Sequence, residues 1–276
     1  MTVAVAGRPP RRDRYRGRLM SDSPTATAAR HSAGLVAVRP IRTFHPRRGR
    51  VSTRHADALA ALWPTHGLTV VDGDRTPLDL GELFGRAAPR VLEIGFGMGE
   101  STAAMAAADP DRDYLAVEVH TPGIGNLLAL VGELGLRNVR VACGDAMELV
   151  HRLAPGSLDA VHAFFPDPWP KARHHKRRLI RPDNVALLRQ RLRPGGILHC
   201  ATDWPEYAEA MADTLAADPG LRNTYDGVAP RPRHRPVTKF ERRGELAGRP
   251  IADLVFRRAV STPADRGPGH ESRRAG

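Results

Sequence analysis

From residue 90 onward the chain alternates short β-branched runs with helical patterns, and no other feature restricts its fold as tightly. Strands are expected at 90–94, 113–119, 138–142, 158–165, 196–201 and 252–258. Helices are expected at 100–108, from 121, and over 146–153, 184–192 and 205–215. Parallel strands need long crossover connections, and helices supply them. The spacing therefore predicts βαβ units and a single doubly wound α/β domain, with a mostly parallel sheet and helices on both faces. Thr121 is expected to cap the second helix, with Pro122 in its first turn.

The domain is expected over 39–260. Residues 1–38 are rich in Arg, Ala, Ser, Thr and Pro without apolar periodicity and read as a disordered basic extension; 261–276 read as a disordered tail. Asp13, Asp22 and Pro9-Pro10 fit a transit peptide poorly, and Met20 offers an alternative start. No apolar run approaches the ~18–20 residues of a membrane span. Cys143 and Cys200 form no CxxC pair, which excludes a disulfide scaffold or a cysteine-based zinc module.

Net charge is +12 over 276 residues, which suits a polyanionic partner. Its placement weakens that inference. Residues 1–50 hold 12 Arg and two acids, while the remainder holds 30 basic and 28 acidic residues. Only three of the 42 basic residues are lysines: Lys171, Lys176 and Lys239.

Glu93-Ile94-Gly95-Phe96-Gly97-Met98-Gly99 joins the first strand to its helix. Glycines there permit a tight turn and close approach of a ligand to the backbone. The spacing GxGxG differs from the dinucleotide pattern GxGxxG, whose third glycine would fall at Glu100, and this disfavours an NAD-dependent oxidoreductase. Glu93 stands where a carboxylate disfavours pyrophosphate. Glu118 ends the second strand, where an acid accepts hydrogen bonds from ribose hydroxyls. Asp145, before Ala146, follows the third strand and is placed to meet an adenine edge. Three acids at three successive strand ends suit a cationic cofactor lacking phosphate, with S-adenosyl-L-methionine (SAM) the candidate.

After the fourth strand comes Phe165-Pro166-Asp167-Pro168-Trp169-Pro170-Lys171. Three prolines in five residues forbid helix and hold an extended loop. Asp167 is placed to accept from the N1–H and exocyclic amine of a guanine, and Trp169 to act as a stacking or packing surface. Residues 171–181 hold six Lys/Arg, two His and no acid, suited to phosphate contacts. His174 and His175 lack acidic or cysteine partners at suitable spacing, so no metal is expected. Thr202-Asp203-Trp204 follows the fifth strand, and residues 235–244 carry the third lysine.

The set EIGFGMGE (93–100), AVEVHTPGIGNLL (116–128), FPDPWPKARHHKRR (165–178), CATDWPEYAEAM (200–211) and RPVTKFERRG (235–244), together with Ile41-Arg42-Thr43-Phe44 and Arg47-Arg48-Gly49-Arg50, resembles the bacterial tRNA (guanine-N7-)-methyltransferase family. The resemblance implies a Rossmann-like class I methyltransferase fold. It implies methyl transfer from SAM to N7 of the guanine at position 46 in the tRNA variable loop, by a cytoplasmic enzyme. By motif, Glu93, Gly95, Gly97, Gly99, Glu118, Asp145, Ala146 and Asp167 would hold the cofactor, with Asp167 also catalytic. Lys171, Asp203, Thr238, Lys239, Phe240 and Glu241 would contact tRNA. No obligate protein partner is implied, and a monomer or homodimer is expected. Two alternatives remain: an exocyclic-amine methyltransferase, because Asp167-Pro168-Trp169 loosely matches that group's (N/D)PP(Y/W) loop, and a non-catalytic RNA-binding protein on the same fold.

Overall fold

The computed structural model describes residues 42–44 and 49–260; the expected extension, Ile41, Arg47, Arg48 and the expected tail lie outside the described residues. The chain runs through α1 (Thr53–His66), β1 (Gly67–Thr69), α2 (Leu80–Phe84), β2 (Arg90–Ile94), α3 (Glu100–Ala108) and β3 (Asp113–Glu118). It continues through α4 (Thr121–Leu134), β4 (Val139–Cys143), α5 (Ala146–Arg152) and β5 (Leu158–Phe164). A 3₁₀ helix (Ala172–Arg177) precedes α6 (Pro182–Arg191), β6 (Leu192–Thr202), α7 (Pro205–Ala217), β7 (Leu221–Asn223), α8 (Lys239–Leu246) and β8 (Ala252–Arg258).

The eight strands lie in the order β1-β4-β3-β2-β5-β6-β8-β7. The first six in that order pair in parallel, and β8 runs antiparallel to both β6 and β7. From β2 the chain steps outward to β3 and β4 on one side, then returns to lay β5 and β6 on the other. The crevice at the carboxyl ends of β2 and β5 is therefore the topological switch point, where open α/β sheets bind ligands.

Strand alternation builds two cores. Val91, Tyr114, Ala116 and Val141 face the layer of α1, α3 and α4. Leu92, Leu115, Val117 and Val161 face the layer of α5, α6 and α7. Leu92 is fully buried, and its truncation to Ala at such a site costs about 2–5 kcal/mol. Burial on both faces explains why these strands read as continuous apolar runs.

The expected doubly wound fold is present, with local differences. The residue capping α4 is His120, not Thr121, and Pro122 occupies the first turn as expected. Glu118 takes the backbone N–H groups of Val119 and His120, so a Thr cap is not required there. β6 begins at Leu192 rather than Gly196, because Leu192 pairs with Leu158 and the Pro194-Gly195-Gly196 segment is an irregularity within the strand, with Gly195 at φ 79°. α1, β1, α2, β7, α8 and the 3₁₀ helix were not expected. Among the described residues no helix is long and apolar enough to cross a membrane.

Candidate active site

A cavity of about 560 Å³ opens at the switch point. Its floor is the turn from β2 into α3. Gly95 (φ 75°) and Gly97 (φ 63°) both adopt the left-handed region, and a Cβ on either would meet nothing within 4 Å. The glycines thus serve backbone conformation and leave open space above it, the cradle a ligand needs. The turn is pinned from both sides. Glu118 Oε2 accepts from the Gly97 N–H at 2.9 Å, and a Cβ on Gly123 would sit 1.9 Å from the Gly97 carbonyl oxygen.

Glu93 lines this floor and is 3% exposed, with its Oε2 lacking a hydrogen-bond partner. Burial pushes its carboxyl up to about 7, with the Thr102 hydroxyl opposing. Leaving a buried carboxylate oxygen unsatisfied is costly, so this atom marks the place of a cationic or N–H donor group. Glu118 also lines the cavity; its Oε1 is taken up by the Val119 and His120 N–H groups, while Oε2 retains a lone pair beyond its Gly97 bond, free to accept from a hydroxyl. These features fit SAM: an acid for its ammonium, an acid for its ribose, and a bare backbone between. Asp145 caps α5, its Oδ1 accepting from the Met147 N–H at 2.9 Å, and burial pushes its carboxyl up. Its neighbours Gly144 and Ala146 line the cavity.

The opposite wall is the loop after β5. Phe165 (φ 52°) and Trp169 (φ 47°) are the non-glycine residues with left-handed backbones among those described, and they bracket Pro166-Asp167-Pro168. Such conformations cost about 1–3 kcal/mol each and persist only where surroundings enforce them. Here the enforcement is visible. The Phe165 N–H donates to the Ala201 carbonyl at 2.7 Å. Buried Arg178 donates from Nε to the Pro168 carbonyl at 2.9 Å and from Nη1 to Glu206 Oε1 at 3.0 Å, its guanidinium 4.6 Å from the Tyr207 ring centre. The Trp169 indole donates to the Thr43 carbonyl at 3.2 Å under the Arg177 guanidinium. Trp169 is therefore a packing surface. Asp167 is held at the cavity wall by this frame.

The third wall is built from 235–242 and 202–203. Thr238 caps α8 by accepting from the Glu241 N–H, and Lys239 reaches Glu100 Oε1 at 3.1 Å. Asp203 accepts from Arg249 Nη2 at 2.7 Å. Arg235 is fully buried, donating to Glu241 Oε2 at 2.6 Å and, from Nε and Nη2, to both Asp253 oxygens at 2.8 Å.

Of the residues singled out from sequence, Glu93, Gly95, Gly97, Glu118, Ala146, Asp167, Asp203, Thr238 and Lys239 share the cavity lining. Gly99 starts α3 against Leu127, where a Cβ would approach within 2.7 Å. Lys171 is exposed at the start of the 3₁₀ helix, and Glu241 is the buried partner of Arg235. Phe240 stands on α8, and its side chain lies outside the described part. Sequence reasoning missed Arg178 and Arg235 as frame residues and Thr43 and Phe44 as lining residues. Nothing in an arginine-dominated chain distinguished those two guanidinia from their neighbours.

Comparison with known proteins adds a family. Residues 87–254 match the family model described as "Putative methyltransferase". The tRNA (guanine-N(7)-)-methyltransferase of Streptomyces coelicolor is 58% identical over 229 residues, covering 82% of this chain and 84% of that protein. The enzyme of the same description from Paraburkholderia xenovorans is 58% identical over 221 residues, covering 80% of this chain and 84% of that protein. Among solved structures, an antibiotic-related methyltransferase aligns with a TM-score of 0.46 at 17% identity, over 68% of this chain and 98% of that one.

Proposed function

Since the chain belongs to the tRNA (guanine-N(7)-)-methyltransferase family, we propose that it methylates N7 of the guanine at position 46 in the tRNA variable loop, with SAM as donor, in the cytoplasm. The observation that carries this reading is the pairing across one cavity of an unsatisfied buried carboxylate on Glu93 with a rigidly framed Asp167.

Bound SAM supplies an electrophilic methyl group, which leaves sulfur as the bond to guanine N7 forms. Glu93 receives the ammonium end of the donor. Glu118 accepts from ribose hydroxyls while still holding the Gly97 turn. Guanine N7 carries an in-plane lone pair and no proton, so no side chain need act as a base. Catalysis then rests on proximity and orientation. Asp167 accepts from the guanine Watson–Crick edge, fixes N7 towards the methyl group and favours the positive charge that develops on the ring. The base must leave its stack to reach this depth, which costs less in a loop than in a paired stem.

The basic run divides by role. Arg178 is buried in the frame and Arg177 lies over Trp169, whereas Lys171, at the cap of the 3₁₀ helix, and Arg173 and Lys176 on it are exposed. Those three are the phosphate contacts. Asp167→Ala is expected to lower kcat by 10²-fold or more, on the order of one lost orienting contact, with the unfolding midpoint little changed. Near-normal kcat would remove Asp167 from the reaction. Nucleoside analysis of treated tRNA is expected to give 7-methylguanosine; a methylated exocyclic amine would replace this reading with the other chemistry.

A further inference from the structure

Behind the Asp167 wall, His162, His199 and His234 converge. His162 and His199 are directly opposed in the β5–β6 register, so their side chains share one face of the sheet. They are 5% and 1% exposed. His234 comes from the loop before α8, its ring stacked on His162 with centres 5.6 Å apart, and His199 stands edge-on to both. One ring nitrogen from each lies within 4.8 Å of the others.

Two further features go beyond aromatic packing. The Nδ1 atoms of His162 and His199 are buried without a hydrogen-bond partner. His199 Nε2 lies 2.7 Å from Asp253 Oδ1, and since an ionised carboxylate only accepts, Nε2 carries the proton and Nδ1 presents a lone pair. This is the carboxylate–histidine arrangement that orients imidazole ligands of metals. Asp253 is itself fixed by Arg235, and Arg235, Asp253 and Glu241 together carry one net negative charge beside the cluster.

We propose that His162, His199 and His234 form a binding site for a divalent transition-metal ion of the zinc type. Three imidazole nitrogens suit Zn²⁺, with a fourth position left to water. Nitrogens about 2.0–2.1 Å from zinc in tetrahedral geometry lie roughly 3.3 Å apart, so the cluster must tighten from its present spacing. His199 and His162 are fixed on strands. His234, exposed on an irregular segment, is the ligand that moves in. The ion would tie the 231–238 loop, which contributes Val237 and Thr238 to the cavity wall, to the two strands beneath Asp167. Its role is to set that wall, with no part in methyl transfer.

The test uses the full chain, stripped with chelator and titrated with Zn²⁺, and with Co²⁺ as a spectroscopic probe. One equivalent of zinc should remain after dialysis, Co²⁺ should give the intense visible absorption of four-coordinate geometry, and zinc should raise Tm by mass action. His234→Ala changes an exposed side chain, so the fold should persist while the bound equivalent, the cobalt band and the zinc-dependent rise in Tm are all lost. Absence of a stoichiometric equivalent in the wild-type protein would overturn the proposal, as would undiminished binding in His234→Ala. Neither result bears on the methyltransferase reading.

Discussion

Glu93→Gln isolates the most consequential charge in the cavity. Glu93 is buried, its Oε2 is unpartnered, and its carboxyl is pushed from 4.5 up to about 7. A carboxyl raised in the folded state favours folding while it is protonated. That advantage is complete below 4.5 and is lost as pH climbs through about 7. The difference between the two values corresponds to about 3 kcal/mol of destabilisation by the ionised group at high pH. Between pH 5 and pH 8 the change is about 2–3 kcal/mol. Glutamine does not titrate, so the stability of Glu93→Gln relative to wild type should rise by that amount from pH 5 to pH 8, whatever constant offset the amide introduces. Urea denaturation of both proteins without ligand at the two pH values reads this directly. In saturating SAM the trend should shrink, because an ammonium beside Glu93 restores the ionised form. The variant should bind SAM about 10–100-fold more weakly, the worth of a hydrogen bond to a charged group. A stability difference that is flat with pH would refute the burial argument. Unchanged SAM affinity would refute the assignment of Glu93 to the ammonium.

Arg178→Ala removes the donors to the Pro168 carbonyl and Glu206 that hold two left-handed residues in place. Stability should fall by about 1.5–3 kcal/mol and kcat by about 10²-fold, with SAM affinity measured by calorimetry nearly unchanged; equal losses in kcat and SAM affinity would mean the loop is not an independent wall. Gly123→Ala places a methyl 1.9 Å from the Gly97 carbonyl oxygen, so the cofactor turn must shift. Destabilisation of about 1–3 kcal/mol and weakened SAM binding are expected, and wild-type SAM affinity would show that the turn is not the donor cradle.

The fold was legible because strands buried on both faces carry runs such as Arg90–Ile94 that punctuate the helices, and because Pro122 and Pro205 mark helix starts; Pro182 also opens a helix, two residues before the expected start at residue 184. α1 and α8 escaped. α1 gains its stability by packing on α4, and α8 has a short, arginine-rich sequence whose start is set by the Thr238 cap. That Glu93 and Glu118 line the cavity was readable from their place at strand ends. The local bonds of Asp145 and Glu241 were not, since neither the Asp145 cap on the Met147 N–H nor the pairing of Glu241 with buried Arg235 has a mark in the sequence. The histidine cluster was invisible for a related reason. His162, His199 and His234 are 37 and 35 residues apart in sequence and meet only through β-register and a loop return.

The central claim is tested most directly by locating the methyl group. Purified protein should be incubated with unmodified tRNA and SAM, and the RNA digested and mapped by oligonucleotide mass spectrometry. The account predicts one 7-methylguanosine, at position 46, and its disappearance when that guanine is replaced by adenine. Methylation at another position, on another atom, or undiminished after the replacement would contradict it.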